Sequence, residues 1–202
     1  MKSVLFVCHG NICRSPMAEF IMKEMVRKAG LALRIDSAAV SYEEEGNDIY
    51  PPAKRTLLAH GVPFQRHRAH RVSDAEASEY DIIVVMDSSN RRLLSHIISP
   101  ENMTKVHMMM EYAGKSSDVS DPWYTGDFER TYRDIAEGCE GLLRQLSAGG
   151  GVAGAIAVAE KGSGGVRDAG CEDDRFTEGG VVAFGTQGAR WAALHETQRA
   201  EV

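Results

Sequence analysis

Four apolar residues, Val4-Leu5-Phe6-Val7, run directly into Cys8-His9-Gly10-Asn11-Ile12-Cys13-Arg14-Ser15-Pro16, and no other segment constrains the fold as strongly. A continuous apolar run between polar residues suits a strand covered on both faces, as in a parallel sheet. Ser15-Pro16 reads as a helix start, with serine at the cap and proline at the first helical position, where its missing N–H is harmless. Met17, Phe20, Ile21, Met25 and Val26 follow at helical spacing and Gly30 closes the helix. Strand, tight loop and helix thus follow one another within the first thirty residues.

The same alternation continues. Leu33–Ala39 reads as a second strand, and Pro52 opens a helix that carries Leu57 and Leu58 and stops at Gly61. Ile82–Met86 is a third buried strand, Ser88–Ile97 a helix, and Val106–Met110 a fourth strand. The last helix places Phe128, Tyr132, Ile135, Cys139, Leu142 and Leu146 on one apolar stripe. Four apolar strands alternating with helices imply an α/β fold, a four-stranded parallel sheet with helices on both faces. In such sheets ligands bind beyond the carboxyl ends of the strands, where Cys8 sits.

Composition changes near Ser147. Residues 148–202 hold 12 of the 20 glycines. Backbone ordering costs about 1–2 kcal/mol per residue, most of all for glycine, so a self-supporting core there is not expected. The chain therefore divides into a domain over 1–147 and a Gly/Ala-rich tail over 148–202. The tail reads as flexible, or as a small add-on with a strand at Val181–Phe184 and a helix over Arg190–Gln198. A net charge of −6 argues against nucleic acid as the partner. No apolar run approaches the ~20 residues needed to cross a bilayer, so no membrane association is expected. The opening segment lacks a leader's apolar region and cleavage site, which points to the cytoplasm. Cys8, Cys13, Cys139 and Cys171 match neither a disulfide framework nor a zinc motif. The Met-rich Lys105–Met110 segment reads as a strand with polarizable core residues rather than a metal site.

A cysteine, five residues and an arginine between a strand and a helix make a loop whose N–H groups converge on one anion, with the helix dipole adding positive potential. His9, Gly10, Asn11, Ile12, Cys13, Arg14 and Ser15 are the expected phosphate-binding residues. Gly10 and Asn11 tolerate a left-handed backbone, and Arg14 offers a planar fork for two phosphate oxygens. The same surroundings favour thiolate over thiol at Cys8, and Ser15 is placed to donate to that sulfur. Asp121-Pro122, in a loop before the last helix, reads alone as a turn opener.

The Cys8–Pro16 segment resembles the signature of the low-molecular-weight protein tyrosine phosphatases. The resemblance extends through Asp36-Ser37-Ala38-Ala39, Gly61-Val62-Pro63, His67-Arg68-Ala69, Met86-Asp87-Ser88-Ser89-Asn90 and Asp121-Pro122-Trp123-Tyr124, and covers 1–147. It implies hydrolysis of phosphotyrosine monoesters through a phosphocysteine, without metal or cofactor. Cys8 would be the nucleophile, Arg14 the phosphate clamp and Asp121 the general acid and then base, with Asp118 as a nearby decoy. Asn11, Ser15, Ser37 and His67 match a network that supports the loop, although His67 in its basic surroundings equally suits an exposed position. Cys13 reads either as a redox partner for Cys8 or as loop packing. Asp87 reads as a helix cap or structural hydrogen-bond partner, and Cys139 as core. Phosphotyrosine-containing proteins would be the substrates and inorganic phosphate the product, from a monomer or weak dimer.

Two departures stand out. Where relatives often have one bulky residue beside the pocket, this chain has Tyr42-Glu43-Glu44-Glu45; Tyr42, Glu43, Trp123 and Tyr124 are taken as substrate-pocket residues, and the acidic run as disfavouring acidic flanks. His70 replaces an arginine common in relatives. Phosphoarginine is the alternative substrate, but Ile12 stands where relatives with that activity have threonine, and an apolar residue suits an aromatic leaving group. Arsenate reductase chemistry would need further cysteines after the third strand, and none lies between Cys13 and Cys139. A non-catalytic phosphate-binding or redox module would not require Cys8, Arg14 and Asp121 together.

Overall fold

The computed structural model describes residues 2–148; the expectations for the tail fall outside them. Four parallel strands form one sheet in the order β2-β1-β3-β4: β1 (Ser3–Cys8), β2 (Arg34–Ala39), β3 (Ile82–Val85) and β4 (Val106–Met108). The fold is the expected four-stranded parallel sheet with helices. Because β1 is internal, both of its faces are covered and all six residues are buried. Val4, Phe6 and Cys8 point into the core under α1 (Arg14–Lys28), α2 (Pro51–Ala59) and α7 (Phe128–Ala148). Leu5 and Val7 point into the opposite core with Ala77 of α3 (Asp74–Ser78) and Leu94 of α4 (Ser88–Leu94). β2 and β3 flank β1, so connections leave it in both directions and open a crevice at its carboxyl end, where a sheet of this kind accommodates a ligand.

Several boundaries differ from those expected. Helix α1 starts at Arg14 with Cys13 at its cap, and neither Ser15 nor Pro16 holds the position assigned to it. Ser15 instead lies within the first turn, and its hydroxyl turns to the sulfur of Cys8 rather than to a helix amide. Pro16 still falls among the residues whose N–H has no intrahelical partner, so the helix tolerates it. Helix α4 ends at Leu94, and in α2 Leu57 is buried while Leu58 is exposed.

The fourth strand stops at Met108 and gives way to a 3-10 turn over Met109–Ala113. The cause lies in α7, where Gly138 and Gly141 let that turn press onto the helix. A Cβ on Gly141 would sit 1.9 Å from the carbonyl oxygen of Tyr112. Three short helices, α3, α5 (Pro100–Met103) and α6 (Pro122–Thr125), went unpredicted. Their signals are side-chain caps: Ser73, Ser99 and Asp121 each accept a hydrogen bond from a backbone N–H two or three residues on. No described helix is long and apolar enough to cross a membrane.

Candidate active site

The loop leaving β1 is fixed from outside by its carbonyl groups. The Cys8 and His9 carbonyls accept from the amides of Val40 and Ser41, Ile12 from Tyr50, Asn11 from the His67 ring, and Cys13 from Met17. With these carbonyls so engaged, the Asn11 amide is turned inward and donates to Cys8 Sγ at 3.3 Å. Asn11 alone among these residues is left-handed, at φ 56°. Gly10 is not, contrary to expectation. A Cβ there would sit 3.0 Å from Cγ of Glu44, a tight contact that the Glu44 side chain would have to shift to relieve.

Beneath the loop runs a hydrogen-bond chain whose donor directions follow from its ends. Ser37 donates to the buried Glu19 carboxylate at 2.5 Å. Asn11 Nδ2 donates to both Ser37 Oγ and Ser15 Oγ at 2.9 Å. Ser15, having accepted, keeps its own proton for Cys8 Sγ at 3.0 Å or the Ala38 carbonyl at 3.3 Å. His67 Nε2 faces two acceptors, the Asn11 carbonyl at 2.8 Å and Oδ1 at 3.1 Å, so it carries the proton. Burial lowers the His67 pKa below its ordinary value, which keeps the ring neutral in that tautomer. Asn11, Ser15, Ser37 and His67 thus meet as one network. Glu19 was missed, because an acidic residue at a helical position reads as a solvated face. His70 adds its backbone N–H to Asn11 Oδ1, and its ring bonds Glu76.

Arg14 is 3% exposed and held by two carboxylates. Nη1 donates to Asp87 at 2.5 Å, and Nη2 lies 2.6 Å from Asp121 Oδ2. Burial works against its charge, but Cys8, Asp121 and Asp87 overcome this and raise its pKa above the ordinary value. Asp87 also caps α4 through the Asn90 amide. Asp121 caps α6 with Oδ1 while Oδ2 reaches Arg14. Asp118 turns elsewhere, to Ser88. Burial, reinforced by Cys8, pushes the Cys13 thiol far up, and its side chain packs with Ile12 and Ala69. Cys139 is fully buried in the main core.

The rim is aromatic on one side and acidic on another. Trp123 packs on Tyr50 (5.4 Å between ring centres), and Tyr50 on Phe128 (6.0 Å). Tyr50 was not anticipated; its position before Pro51-Pro52 resembles an ordinary helix lead-in. Tyr124 is 70% exposed. Of residues 42–45, Glu43 bonds His9 of the loop at 2.9 Å, whereas Tyr42 stacks under Arg71, Glu44 bonds Asn47 and Glu45 bonds the Arg71 amide. Tyr42 therefore belongs to a neighbouring contact, and Glu43 is the member of the run hydrogen-bonded to the loop.

A buried guanidinium, a cysteine sulfur and the Asn11 amide meet at the end of a central parallel strand of an α/β fold, an arrangement able to form a nest for a tetrahedral anion. The family model described as low molecular weight phosphotyrosine protein phosphatase matches residues 3–150. Over 150 residues the chain is 37% identical to the low molecular weight protein-tyrosine-phosphatase YfkJ of Bacillus subtilis, covering 72% of this chain and 96% of that one. The human low molecular weight phosphotyrosine protein phosphatase is 34% identical over 151 residues, covering 71% and 95%. The crystal structure of YfkJ superposes with a TM-score of 0.71, covering 74% and 97%. That of a Drosophila arginine phosphatase does so at 0.66 and 33% identity, covering 72% and 98%. The chain belongs to the low-molecular-weight phosphotyrosine protein phosphatase family, and with it to the protein-tyrosine phosphatases.

Proposed function

We propose that Cys8, Arg14 and Asp121 hydrolyse phosphotyrosine monoesters in two displacements at phosphorus. The phosphoryl group sits in the nest with its oxygens on the loop amides and the Arg14 fork. Cys8 sulfur attacks in line, and the bond from phosphorus to the tyrosyl oxygen breaks as the sulfur–phosphorus bond forms. Asp121, in its acid form, gives its proton to the departing phenolate oxygen. The resulting carboxylate then takes a proton from water, which attacks the phosphocysteine, releasing inorganic phosphate and restoring the thiolate. Ser15, supplied by Asn11, directs its hydroxyl at the sulfur and so stabilises the thiolate as nucleophile and as leaving group.

The observation that carries this reading is the convergence on Arg14: the same guanidinium that would hold the phosphate has Asp121 2.6 Å from Nη2. A carboxyl group there lies within reach of an ester oxygen on the clamped phosphoryl group. An aromatic leaving group suits the Tyr50–Trp123 wall, and Ile12 is buried against Cys13 and Ala69, so the floor beside it is apolar. Phosphotyrosine is therefore favoured over phosphoarginine. Replacing Cys8 by serine is expected to abolish turnover of aryl phosphates while phosphate binding persists. Asp121→Ala should slow phosphotyrosine peptides by roughly 10²–10⁴-fold, the usual worth of a positioned proton donor, and slow activated aryl phosphates much less. Equal losses on good and poor leaving groups would remove Asp121 from the acid role, and faster turnover of phosphoarginine would reassign the substrate.

A further inference from the structure

Beside the nest lies a second cleft of about 480 Å³, among its lining residues Ser88, Arg91, Arg92, Ser95, Ser116 and Asp118. None of these side chains has a part in the chemistry above. The volume falls in the range of small-ligand sites. Met103 and Met108 leave much of its wall apolar, and its polar groups are two guanidiniums and three hydroxyls against a single carboxylate; of the hydroxyls, Ser88 donates to Asp118 and Ser95 to the Arg92 carbonyl, so the Ser116 hydroxyl is the one without such a commitment. That carboxylate is already engaged, Asp118 accepting from both the amide and the hydroxyl of Ser88 at 3.2 Å. Arg91 and Arg92 have no carboxylate within 4.0 Å among the described residues, so neither guanidinium of the cleft is neutralised by an ion pair. The polar part of the cleft thus offers two guanidiniums, the Ser116 hydroxyl and a net positive charge.

Its place relative to the nest follows from the chain. Ser88 is the residue after Asp87, which holds Arg14. Asp118 is three residues before Asp121, and three residues of extended chain span at most about 11 Å. A group bound in the cleft therefore lies within a few residues of a phosphotyrosine held in the nest.

Resting on the phosphotyrosine reading, we infer that this cleft binds a second phosphorylated side chain, borne on the substrate two to four residues from the phosphotyrosine. A carboxylate is satisfied by one arginine fork, whereas a phosphoryl group carries three strong acceptor oxygens and close to two charges. Two arginines and the Ser116 hydroxyl match the latter. The preferred substrate is accordingly a segment phosphorylated at two nearby positions, and the cleft sets specificity without taking part in bond breaking.

The test compares kcat/KM for peptides carrying one phosphotyrosine with the same peptides carrying a second phosphotyrosine, a phosphoserine or a glutamate at two to four residues on either side. The full-length chain should favour the doubly phosphorylated form by about tenfold, the worth of one charge-assisted hydrogen bond, and favour glutamate less. In Arg91→Ala/Arg92→Ala that ratio should fall to about one, and Arg92→Glu should invert it. The ratio is the readout because a general structural defect lowers both peptides together and leaves it unchanged. A ratio near one in the unaltered chain, or one that survives the double substitution, overturns the assignment. Failure of the unaltered chain to turn over any aryl phosphate overturns the phosphatase reading itself, and the cleft's role with it.

Discussion

The cradle of the site and its rim are built on opposite physical terms. Cys8, Asn11, Arg14, Ser15 and Ser37 are each at most 3% exposed, whereas Trp123 and Tyr124 are 41% and 70% exposed. A polar group buried without a partner costs roughly 1–3 kcal/mol, so each cradle residue must satisfy its neighbours, and the network locks as a whole. Rim residues face water, which satisfies them whatever their identity. On the proposed function, catalysis, which demands exact placement, falls to the cradle and discrimination among substrates to the rim, where substitution is expected to leave the fold intact.

The contrast can be broken most severely at Arg14. Arg14→Lys keeps the charge but loses the fork that spans Asp87 and Asp121, and kcat should drop on the order of 10²–10³-fold in an aryl phosphate assay. Asn11→Ala strips partners from Ser15, Ser37 and His67 and leaves alanine at a positive φ. Urea unfolding should register about 2–4 kcal/mol lost, with kcat falling alongside. On the rim, Trp123→Ala should raise KM for aryl substrates about 2–10-fold through the lost stacking, with the urea midpoint barely moved. Glu43→Gln should leave small aryl phosphates unaffected while improving peptides with acidic flanks about twofold at low salt. Equal peptide rates in both proteins would remove Glu43 from specificity.

The finest comparison is between two histidines on the same Asn11. Burial lowers the His67 pKa below 6.5, so the unfolded chain takes up its proton first, and the stability due to this ring is complete above 6.5 and is lost as pH falls through its lowered value. At His70 the hydrogen bond that the ring donates to the Glu76 carboxylate outweighs burial and raises the pKa. Its contribution is complete below 6.5 and is lost as pH rises through the raised value. His70 is 41% exposed at its side chain, so its effect is a few tenths of a kcal/mol, the scale of exposed ion pairs. Urea midpoints against pH should lose their acid limb in His67→Gln and their alkaline slope in His70→Gln; matching changes in both variants would contradict these opposite signs.

Periodicity alone disclosed the sheet, the order of its strands with helices, and the loop between β1 and α1, because burial on two faces leaves a direct mark on residue choice. Cys8, Arg14 and the loop residues between them were legible for the same reason: they are consecutive, and local geometry dictates their types. What escaped was whatever depends on contacts distant in sequence. Glu19 looked like a solvated helix residue until β2 brought Ser37 to it, and Tyr50 looked like a lead-in until Trp123 stacked on it. The early end of β4 was hidden because its cause, the close approach at Gly141, lies some thirty residues away. Asp121 stands between the two: its Asp-Pro pair alone reads as a turn opener, the family resemblance singled it out, and the packing of its loop brings its carboxylate to 2.6 Å from Arg14. The amino-acid order thus determined the sheet and the Cys8–Arg14 loop, both products of short-range pattern; chain closure decided which distant carboxylates and aromatics surround them, since a hydrogen bond or a stacked ring requires a proximity that no local pattern encodes.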